Sequence, residues 1–323
     1  MHRIVPIAFG LAILAPAYAY TTSGNTLTVT NCSNQTDLQN AITAAPSGGT
    51  VTFACGTPSS PAAIPITSSI IASGHTFTLE GNGAVILSGS GSPGTVLDLA
   101  SATVTVRDIT ITGGTGASVG GGIEVAGSSN PVTVINVTLY NNAATGAAGR
   151  GGGIYVLVGT VTVINSTFSG NSATEVGNDI ESDESTVNLE NSIFLDGCFN
   201  NGGTINNVGG NLDTGTSCIA SNSNGSLVNV GAPILGALLE SLYFPLASGS
   251  LAIDFDTANC PSRDELGNPR GSVCSAGAVQ DNTPPANIPA TPLPGTLWLI
   301  LAGLAAWGIH SIWPSRMWTT RSP

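Results

Sequence analysis

The chain has 323 residues, of which 42 are glycine, 8% are charged and none is lysine, and its formal net charge is −12. So few charges argue against helices held by surface ion pairs, and a few scattered arginines give no basic patch for nucleic acid or anionic lipid. Together with an aromatic fraction of only 5%, this composition favours a β-rich repeat protein.

Residues 1–19 have the features of an export signal. A basic start precedes an apolar run over residues 4–15, and Ala17-Tyr18-Ala19 supplies a small-x-small cleavage site. The sequence therefore predicts that the mature protein begins at Tyr20 and leaves the cytosol.

Residues 20–49 are predicted to form an N-terminal cap. The segment Thr36-Asp37-Leu38-Gln39 has the form of a capping box, and Leu38 and Ile42 share one helical face before Pro46 ends the helix. A short amphipathic helix here would cover strand edges and apolar side chains at the open end of a β-rich body.

A repeat dominates the predicted body, residues 50–235. Val132-Thr133-Val134-Ile135-Asn136 and Val161-Thr162-Val163-Ile164-Asn165 are each preceded by three glycines and an isoleucine, and weaker copies end at Asp108 and Asn191. Alternating β-branched residues indicate strands, and glycine indicates corners. A period of about 28 residues is typical of a solenoid whose coils bury their apolar faces only by stacking.

The repeat predicts an all-β fold: a right-handed parallel β-helix with a short N-terminal capping helix and a C-terminal hydrophobic anchor helix. A leucine-rich horseshoe is the rival, but it needs regular leucines and helices. The polar ends of the repeats would stack at one corner and hydrogen-bond along the axis as a structural ladder. The ladder residues are Asp108, Asn136, Asn165 and Asn191.

Six cysteines fall into three pairs that are local in sequence. An even number of cysteines in an exported chain favours disulfides, and none of these pairs has the spacing of a zinc or redox motif. The predicted bridges are Cys32–Cys55, Cys198–Cys218 and Cys260–Cys274.

Three segments follow the predicted solenoid. Residues 236–280 are predicted to be a closing domain, and residues 281–295 are a proline-rich linker. Residues 296–323 begin with an apolar run long enough to span a membrane and end with Arg316 and Arg321, which places the tail in the cytoplasm by the positive-inside rule.

The C-terminal residues resemble a known sorting signal. Thr291-Pro292-Leu293-Pro294-Gly295, the apolar run and the terminal arginines are similar to the PEP-CTERM class, in its variant with a Pro-Leu-Pro core. That resemblance implies transient anchoring in the inner membrane of a Gram-negative bacterium. It also implies a sorting protease as partner, which cuts near the proline motif and releases the body to the cell surface.

Residues 250–280 resemble the choice-of-anchor Q domain of bacterial β-helix proteins. The likeness rests on Ser250-Leu251-Ala252-Ile253-Asp254, on Cys260, on residues 264–270 and on Cys274-Ser275-Ala276-Gly277-Ala278-Val279. The chain departs from that pattern, which has a small residue, aspartate and glutamate, at Phe255, Ser275 and Gln280. The repeats are similar to those of chlamydial polymorphic outer-membrane proteins, as in Phe168-Ser169-Gly170-Asn171.

One acidic cluster is the candidate catalytic site. Asp179, Glu181 and Asp183 alternate along a predicted strand, and Arg150 lies one coil away. A polysaccharide lyase needs carboxylates for Ca²⁺ and an arginine or lysine as base, whereas a glycosidase needs two carboxyls at a set separation. The non-functional interpretation is that these residues form a solvated charge cluster with no catalytic role and no metal.

The sequence as a whole favours a non-catalytic adhesion or envelope-matrix protein, displayed outside the cell, that contacts a glycan or another surface partner. It assigns no cofactor. The alternative is a polysaccharide lyase or glycoside hydrolase acting on acidic glycans, with Ca²⁺ as its metal. The scarcity of histidine and the absence of lysine in the body speak against catalysis.

Overall fold

The protein is described from a computed structural model. The structure describes residues 19–280 except for short gaps, and the predicted signal up to residue 18, the linker and the C-terminal segment lie outside the described residues. The gaps are residues 91–93, 128–130, 232–233, 240–242 and 257–258.

The described residues contain one helix, α1 (Gln35–Ala44), and many short strands. The strands are β1 (Tyr20–Ser23), β2 (Thr26–Val29), β3 (Gly49–Phe53), β4 (Ala62–Ile66), β5 (Ile70–Ile71), β6 (Thr76–Glu80), β7 (Val85–Gly89), β8 (Leu97–Asp98), β9 (Thr103–Thr112), β10 (Thr115–Gly116), β11 (Ile123–Ala126), β12 (Pro131–Tyr140), β13 (Ala143–Ala144), β14 (Ile154–Leu157), β15 (Thr160–Ile164), β16 (Thr167–Ser169), β17 (Ser172–Ala173), β18 (Ile180–Asp183), β19 (Thr186–Glu190), β20 (Ile193–Phe194), β21 (Cys198–Asn201), β22 (Thr204–Gly209) and β23 (Leu212–Asp213).

These strands form a parallel β-solenoid of about six turns, as the repeat predicted. The largest sheet has fourteen strands and runs β1-β2-β3-β6-β9-β12-β15-β19-β22, with β4, β7, β16, β20 and β23 joined at its side. A second sheet of six strands runs β21-β18-β14-β11-β8-β5, and a third has the order β10-β13-β17. Among the named strands only β1 and β2 pair antiparallel. The right hand of the coil stays a prediction.

The core consists of stacked columns of identical or similar side chains. Val132 pairs in register with Val104 on one side and with Val161 on the other, and all three are buried. In the six-stranded sheet the corresponding buried column is formed by Ile70, Leu97, Ile123, Ile154 and Ile180. Because strand side chains alternate between faces, every second residue of each repeat enters the core and fixes the register.

The first coil is covered from the N-terminal side. Helix α1 buries Leu38, Ala41 and Ile42. The helix begins earlier than the sequence predicted, because Asn34, and not Thr36, is the N-cap residue. The Asn34 Oδ1 accepts a hydrogen bond from the Asp37 backbone N–H at 3.2 Å, which satisfies a free donor of the first turn.

A lateral strap, residues 259–280, lies along the side of the solenoid. Its Glu265 accepts hydrogen bonds from the Thr110 and Thr138 hydroxyls on β9 and β12, and its Ala278 N–H donates to the Thr167 Oγ1 on β16. The strap therefore touches at least three successive coils. The closing domain predicted for residues 236–280 thus contacts the flank of the coils over this part of its length.

The three predicted disulfides are present. The bonds are Cys32–Cys55, Cys198–Cys218 and Cys260–Cys274, and no cysteine of the described residues is free. Three bridges indicate a non-reducing environment outside the cytosol. The helix criterion for a membrane span is met nowhere between residues 19 and 280, and the predicted anchor, residues 296–323, lies beyond them.

Candidate functional site: an outward column of carboxylates

The outward face of the six-stranded sheet carries a column of acidic and aromatic side chains, which we call the outer column. Its members are paired in register from coil to coil, with carboxylates on three coils and aromatic rings on two. They are Asp98, Glu124, Tyr155, Glu181 and Phe199. Since each side chain belongs to a new coil, neighbours are separated by roughly the strand spacing of 4.8 Å.

A ridge of tight turns stands beside this column. Gly120, Gly151 and Gly177 have φ values of +54°, +63° and +71°, which glycine adopts without strain. A Cβ atom at Gly177 would lie 2.9 Å from the Glu181 Cβ, and one at Gly151 would lie 2.8 Å from the Tyr155 Cβ. The repeated glycines therefore let the turns pack directly against the outer column and form a wall beside it.

Arg150 extends from this ridge over the column. Its guanidinium donates to both Glu175 oxygens, with Nε at 2.9 Å from Oε2 and Nη2 at 3.4 Å from Oε1. Its Nη1 lies 3.3 Å from Glu181 Oε1 and 3.9 Å from Asp183 Oδ2. Backbone bridges from Arg150 to Val119 and Val176 on the adjacent coils hold it in place.

Glu181 is the central residue of this cluster. It has no exposed surface, and its Oε2 has no hydrogen-bond partner among the described residues. Burial raises the pKa of Glu181 to about 7, the Arg150 charge opposes this rise, and the carboxylates of Asp183 and Glu175 add to it. A fraction of Glu181 is therefore protonated at neutral pH.

The other side chains of the cluster are held by hydrogen bonds. The Tyr155 hydroxyl donates to Asp183 Oδ2 at 3.0 Å, and the Asn201 amide donates to Asp183 Oδ1 at 2.9 Å. Burial, followed by the hydrogen bond to Asp183, raises the pKa of Tyr155. Tyr155 is thus a neutral donor at every physiological pH.

The two N-terminal members of the column, on β8 and β11, are carboxylates on adjacent coils. Glu124 pairs in register with Asp98, and both side chains are partly exposed. Burial raises the pKa of Glu124, and the negative charge of Asp98 raises it further. Neither carboxylate forms a salt bridge with a cation of the described residues.

Asp179 lies apart from the outer column. Its Oδ1 accepts from the Asn171 amide at 3.1 Å, and its Oδ2 accepts from the backbone N–H groups of Asp196 and Gly197 at 2.8 and 3.1 Å. Burial and the nearby Asp196 carboxylate raise the pKa of Asp179, although these three donors oppose the rise. The structure therefore brings Glu181, Asp183 and Arg150 together and places Asp179 in a separate buried network.

The four ladder residues occupy one corner of successive coils. All are buried, and all have left-handed backbone conformations, with φ between 44° and 53°. Asparagine and aspartate tolerate this conformation better than other non-glycine residues. They are Asp108, Asn136, Asn165 and Asn191.

One hydrogen bond between ladder side chains runs along the axis, and other bonds of the ladder go to the lateral strap. The Asn136 amide donates to Asp108 Oδ1 at 2.8 Å, which is an axial bond between neighbouring coils. The same amide also donates to the Arg263 carbonyl at 2.8 Å, and the Asn165 amide donates to the Ser275 carbonyl at 3.0 Å. The ladder corner is therefore the surface on which the strap docks.

Sequence reasoning missed a second ladder inside another corner. The Asn142 and Asn171 side chains are buried on adjacent coils, and the Asn142 amide donates to Asn171 Oδ1 at 3.2 Å. Asn171 Oδ1 also accepts from the Asn142 backbone N–H at 3.1 Å. The signal was present, because both asparagines stand three positions after a core residue, Leu139 or Phe168, in the Phe-x-x-Asn repeat.

Sequence reasoning also did not assign Glu175 and Tyr155 to the cluster. Glu175 binds the guanidinium of Arg150 more closely than Glu181 does. This bond lowers the pKa of Glu175, while its two hydrogen bonds and the other carboxylates raise the pKa of Arg150. For Tyr155 the sequence did contain a signal, because Glu124, Tyr155 and Glu181 follow one another at intervals of about one coil.

The arrangement keeps Arg150 in its charged form. A base in a lyase must lose a proton, and the three carboxylates around Arg150 hold its guanidinium in the charged form. Within the described ranges, no group of three or more His, Cys, Asp or Glu side chains is placed to hold a metal ion. The cluster offers fixed charges and hydrogen-bond acceptors beside the glycine ridge.

Comparison of the chain with family models, curated proteins and solved structures finds no match in any of the three.

Proposed function

We propose that this chain is an exported surface or envelope-matrix protein whose β-solenoid binds extracellular material without cleaving it. The sequence supports export through residues 1–19. The PEP-CTERM-like tail, residues 296–323, supports transient anchoring in the inner membrane of a Gram-negative bacterium and release by a sorting protease. The three disulfides agree with this location, because such bonds persist in oxidising compartments.

The state of Arg150 is the observation that carries the non-catalytic role. Its hydrogen bonds and ion pairs engage Nε, Nη1 and Nη2 with three carboxylates of the chain itself. A guanidinium held in this way positions neighbouring side chains and keeps its proton. The cluster thus resembles a fixed recognition surface more than a centre for β-elimination.

The alternative is a polysaccharide lyase or glycoside hydrolase that acts on acidic glycans. The proximity of Glu181 and Asp183 to an arginine favours it, as does the raised pKa of Glu181, which suits a general acid. Acidic glycans are nevertheless a poor match for the outer column, because carboxylates outnumber cations there and would repel them.

Incubation of the purified mature protein with glycans separates the two functions. Polygalacturonate, alginate and neutral glycans are incubated with and without Ca²⁺, and unsaturated products and new reducing ends are measured. We expect no turnover. Turnover that disappears in folded Glu181→Gln and Arg150→Ala variants would establish the enzyme, and turnover that survives both changes would establish it at another site.

Intact-mass measurement of the protein isolated from its native envelope fraction tests export and processing. The expected mass corresponds to removal of residues 1–19, cleavage close to the proline motif at residues 292–294, and three disulfides. Retention of either terminus in the surface-exposed form contradicts the corresponding part of the proposal.

A further inference from the structure

The outward face of the fourteen-stranded sheet carries a column of threonines. On six neighbouring strands, from β2 to β15, one outward position is threonine, and each of these residues pairs in register with the next. Asn188 on β19 and Asn206 on β22 continue the column. Its threonines are Thr26, Thr50, Thr78, Thr105, Thr133 and Thr162.

From β6 onward, a second outward column lies two positions earlier in the strands. Thr76 pairs with Thr103. Thr160 pairs with Pro131 on one side and with Thr186 on the other. Strands β6, β9 and β15 therefore each present Thr-x-Thr on this face, and we call the two columns together the threonine array. Neighbouring members are about 4.8 Å apart along the solenoid axis and about 6.6 Å apart along a strand.

The threonine array is uncharged and has unused hydrogen-bonding capacity. Its members are threonine, asparagine and proline, and the hydroxyl groups of Thr78, Thr105 and Thr133 form no hydrogen bond with any other residue that the structure describes. The next outward column adds the partly exposed Ile135 and Ile164. These hydroxyl groups are therefore available to water or to a ligand.

The charged residues next to the array are paired or buried. Arg107 Nε lies 3.0 Å from Glu80 Oε2, and Glu190, which is in register with Ile164, is 8% exposed. The array therefore presents mainly hydroxyl and methyl groups.

Strand propensity does not by itself explain this array. Threonine is favoured in strands generally, so propensity alone would place it on every outward face of the solenoid. The outer column of the six-stranded sheet, which is built from the same coils, contains no threonine. Its members are Asp98, Glu124, Tyr155, Glu181 and Phe199.

A two-dimensional grid of hydroxyl groups matches an ordered surface better than a single polymer chain. Oxygen atoms on a prism face of hexagonal ice repeat in two perpendicular directions, at one distance slightly shorter than the coil step and one somewhat longer than the two-residue step. Hydroxyl groups can bond to such a water layer while the threonine methyl groups order the water between them. A crystalline glycan would instead call for aromatic rings against its sugars, and no member of the array is aromatic.

We propose that the threonine array is an ice-binding surface, which holds a layer of ordered water in register with a prism face of ice. The inference rests on the proposed binding role of the solenoid and names its ligand. An exported chain bound in this way would attach to ice outside the cell and hinder the growth of the crystal.

Incorporation of the full mature protein into slowly grown ice tests this surface. A dilute solution is partly frozen onto a cooled probe, and the protein is measured in the ice and in the remaining liquid. The variant is Thr133→Tyr/Thr162→Tyr, since tyrosine keeps the strand propensity but projects beyond the grid. The control is Thr145→Tyr, because Thr145 is an exposed threonine that follows β13 and lies outside the array.

We expect the wild type and the Thr145→Tyr control to be enriched in the ice, and the double variant to be incorporated at least tenfold less. Thr105→Tyr, on another coil, is a second array variant, and circular dichroism and the unfolding midpoint show which variants are folded. Exclusion of the wild type from ice overturns the proposal. Equal incorporation of the wild type and a folded array variant overturns it as well.

Binding to microcrystalline cellulose and chitin separates failure of the ice assignment from failure of the proposed function. Binding of the wild type to either solid, lost in the array variants and without incorporation into ice, overturns the ice assignment but supports a binding role for the solenoid. Exclusion from ice of a protein that also cleaves a glycan in the turnover assay overturns both.

Discussion

The Asn136 side-chain amide donates to the carbonyl oxygen of Arg263 at 2.8 Å, across 127 positions of sequence. Arg263 belongs to the lateral strap, whose buried Arg270 guanidinium also donates to the Asn136 Oδ1 at 3.4 Å. The strap is therefore held by polar contacts that are buried and specific. Such contacts fix one docked position, because a shift by one residue would leave donors and acceptors unpaired.

Substitution of Gly83 tests the docking of the strap on the N-terminal coils. A Cβ at this position would lie 2.2 Å from the Glu265 carbonyl oxygen and 2.8 Å from the Leu266 Cα, so Gly83→Ala must displace strap backbone. We expect Gly83→Ala to lower the free energy of unfolding by about 2 kcal/mol more than Gly74→Ala. Urea unfolding measures the difference, and hydrogen exchange of residues 259–280 should rise only in Gly83→Ala.

Gly74 is a close control for this substitution. Its φ of +67° is nearly that of Gly83, +63°, but a Cβ there meets no atom within 4 Å. Both alanines therefore carry the same left-handed strain, about 1 kcal/mol, and only one carries the clash. Equal losses of stability in the two variants would show that the strap does not press on Gly83.

The Cys260–Cys274 bridge is expected to stabilise the strap. The bond joins residues 14 positions apart, and a closed loop of about 15 residues contributes roughly 3 kcal/mol. Replacing both cysteines with alanine should increase proteolysis within residues 259–280 before the coils unfold. Limited proteolysis followed by peptide mapping is the measurement, and cleavage that begins in the solenoid would contradict the expectation.

Val158 occupies a strained corner. It has a φ of +52°, whereas Gly127, which follows β11 on the preceding coil as Val158 follows β14, has a φ of +93°. A β-branched residue is unfavourable in this conformation, and Val158 is 44% exposed, so its side chain contributes little burial. We expect Val158→Asn to raise the free energy of unfolding by about 1 kcal/mol in urea titrations, because asparagine tolerates the left-handed conformation better than valine.

Val208 is the control for Val158. It is 45% exposed, lies on β22 and is not among the residues of positive φ. Val208→Asn should be neutral or destabilising, because asparagine is disfavoured in strands. Stabilisation of both variants by the same amount would mean that the left-handed corner is not the cause.

Glu181 predicts a pH dependence of stability. Its folded-state pKa is about 7 against an ordinary value of 4.5, so the folded state holds the proton more tightly. The stabilising effect of that proton is fully present below pH 4.5 and is lost as the pH rises through 7. As the pH rises from 4.5 to above 7, the wild type loses this contribution and the Glu181→Gln variant does not. The free energy of unfolding of the variant should therefore rise by on the order of 2 kcal/mol relative to that of the wild type.

Urea unfolding of both proteins at pH 4.5 and pH 7.5 measures this change. The Glu184→Gln variant controls for the loss of one formal charge at an exposed position of the same coil. A stability difference between Glu181→Gln and the wild type that is the same at both pH values would contradict the burial of an ionisable Glu181.

The sequence predicted the coils because their determinants are local and periodic. The pairing of Val132 with Val104 and with Val161 follows directly from the repeat, and so does the alternation that buries them. The cysteine pairs could be predicted equally well, since each joins neighbouring parts of the chain. Two features of one repeat, its strand and its corner asparagine, were therefore enough to predict the parallel solenoid.

The strap and the buried state of Glu181 could not be predicted in this way. The strap binds through contacts such as Thr138 with Glu265, which are 127 positions apart and have no sequence period. Glu181 looks like a surface glutamate in sequence, and it becomes buried only because Arg150 and the ridge around Gly177 cover it. The N-cap was missed because Asn34 and Thr36 are both good capping residues.

The strap also limits how this solenoid can change in length. Repeat proteins ordinarily gain or lose a coil at little cost, since each coil contacts only its neighbours. Here Glu265 binds two successive coils and Gly277 reaches a third through the Asn191 carbonyl, so an inserted coil would separate docking points that one short segment must still join. The strap therefore limits the number of coils between its docking points. Duplication of a repeat between Thr138 and Asn191 would require a matching extension of residues 259–280.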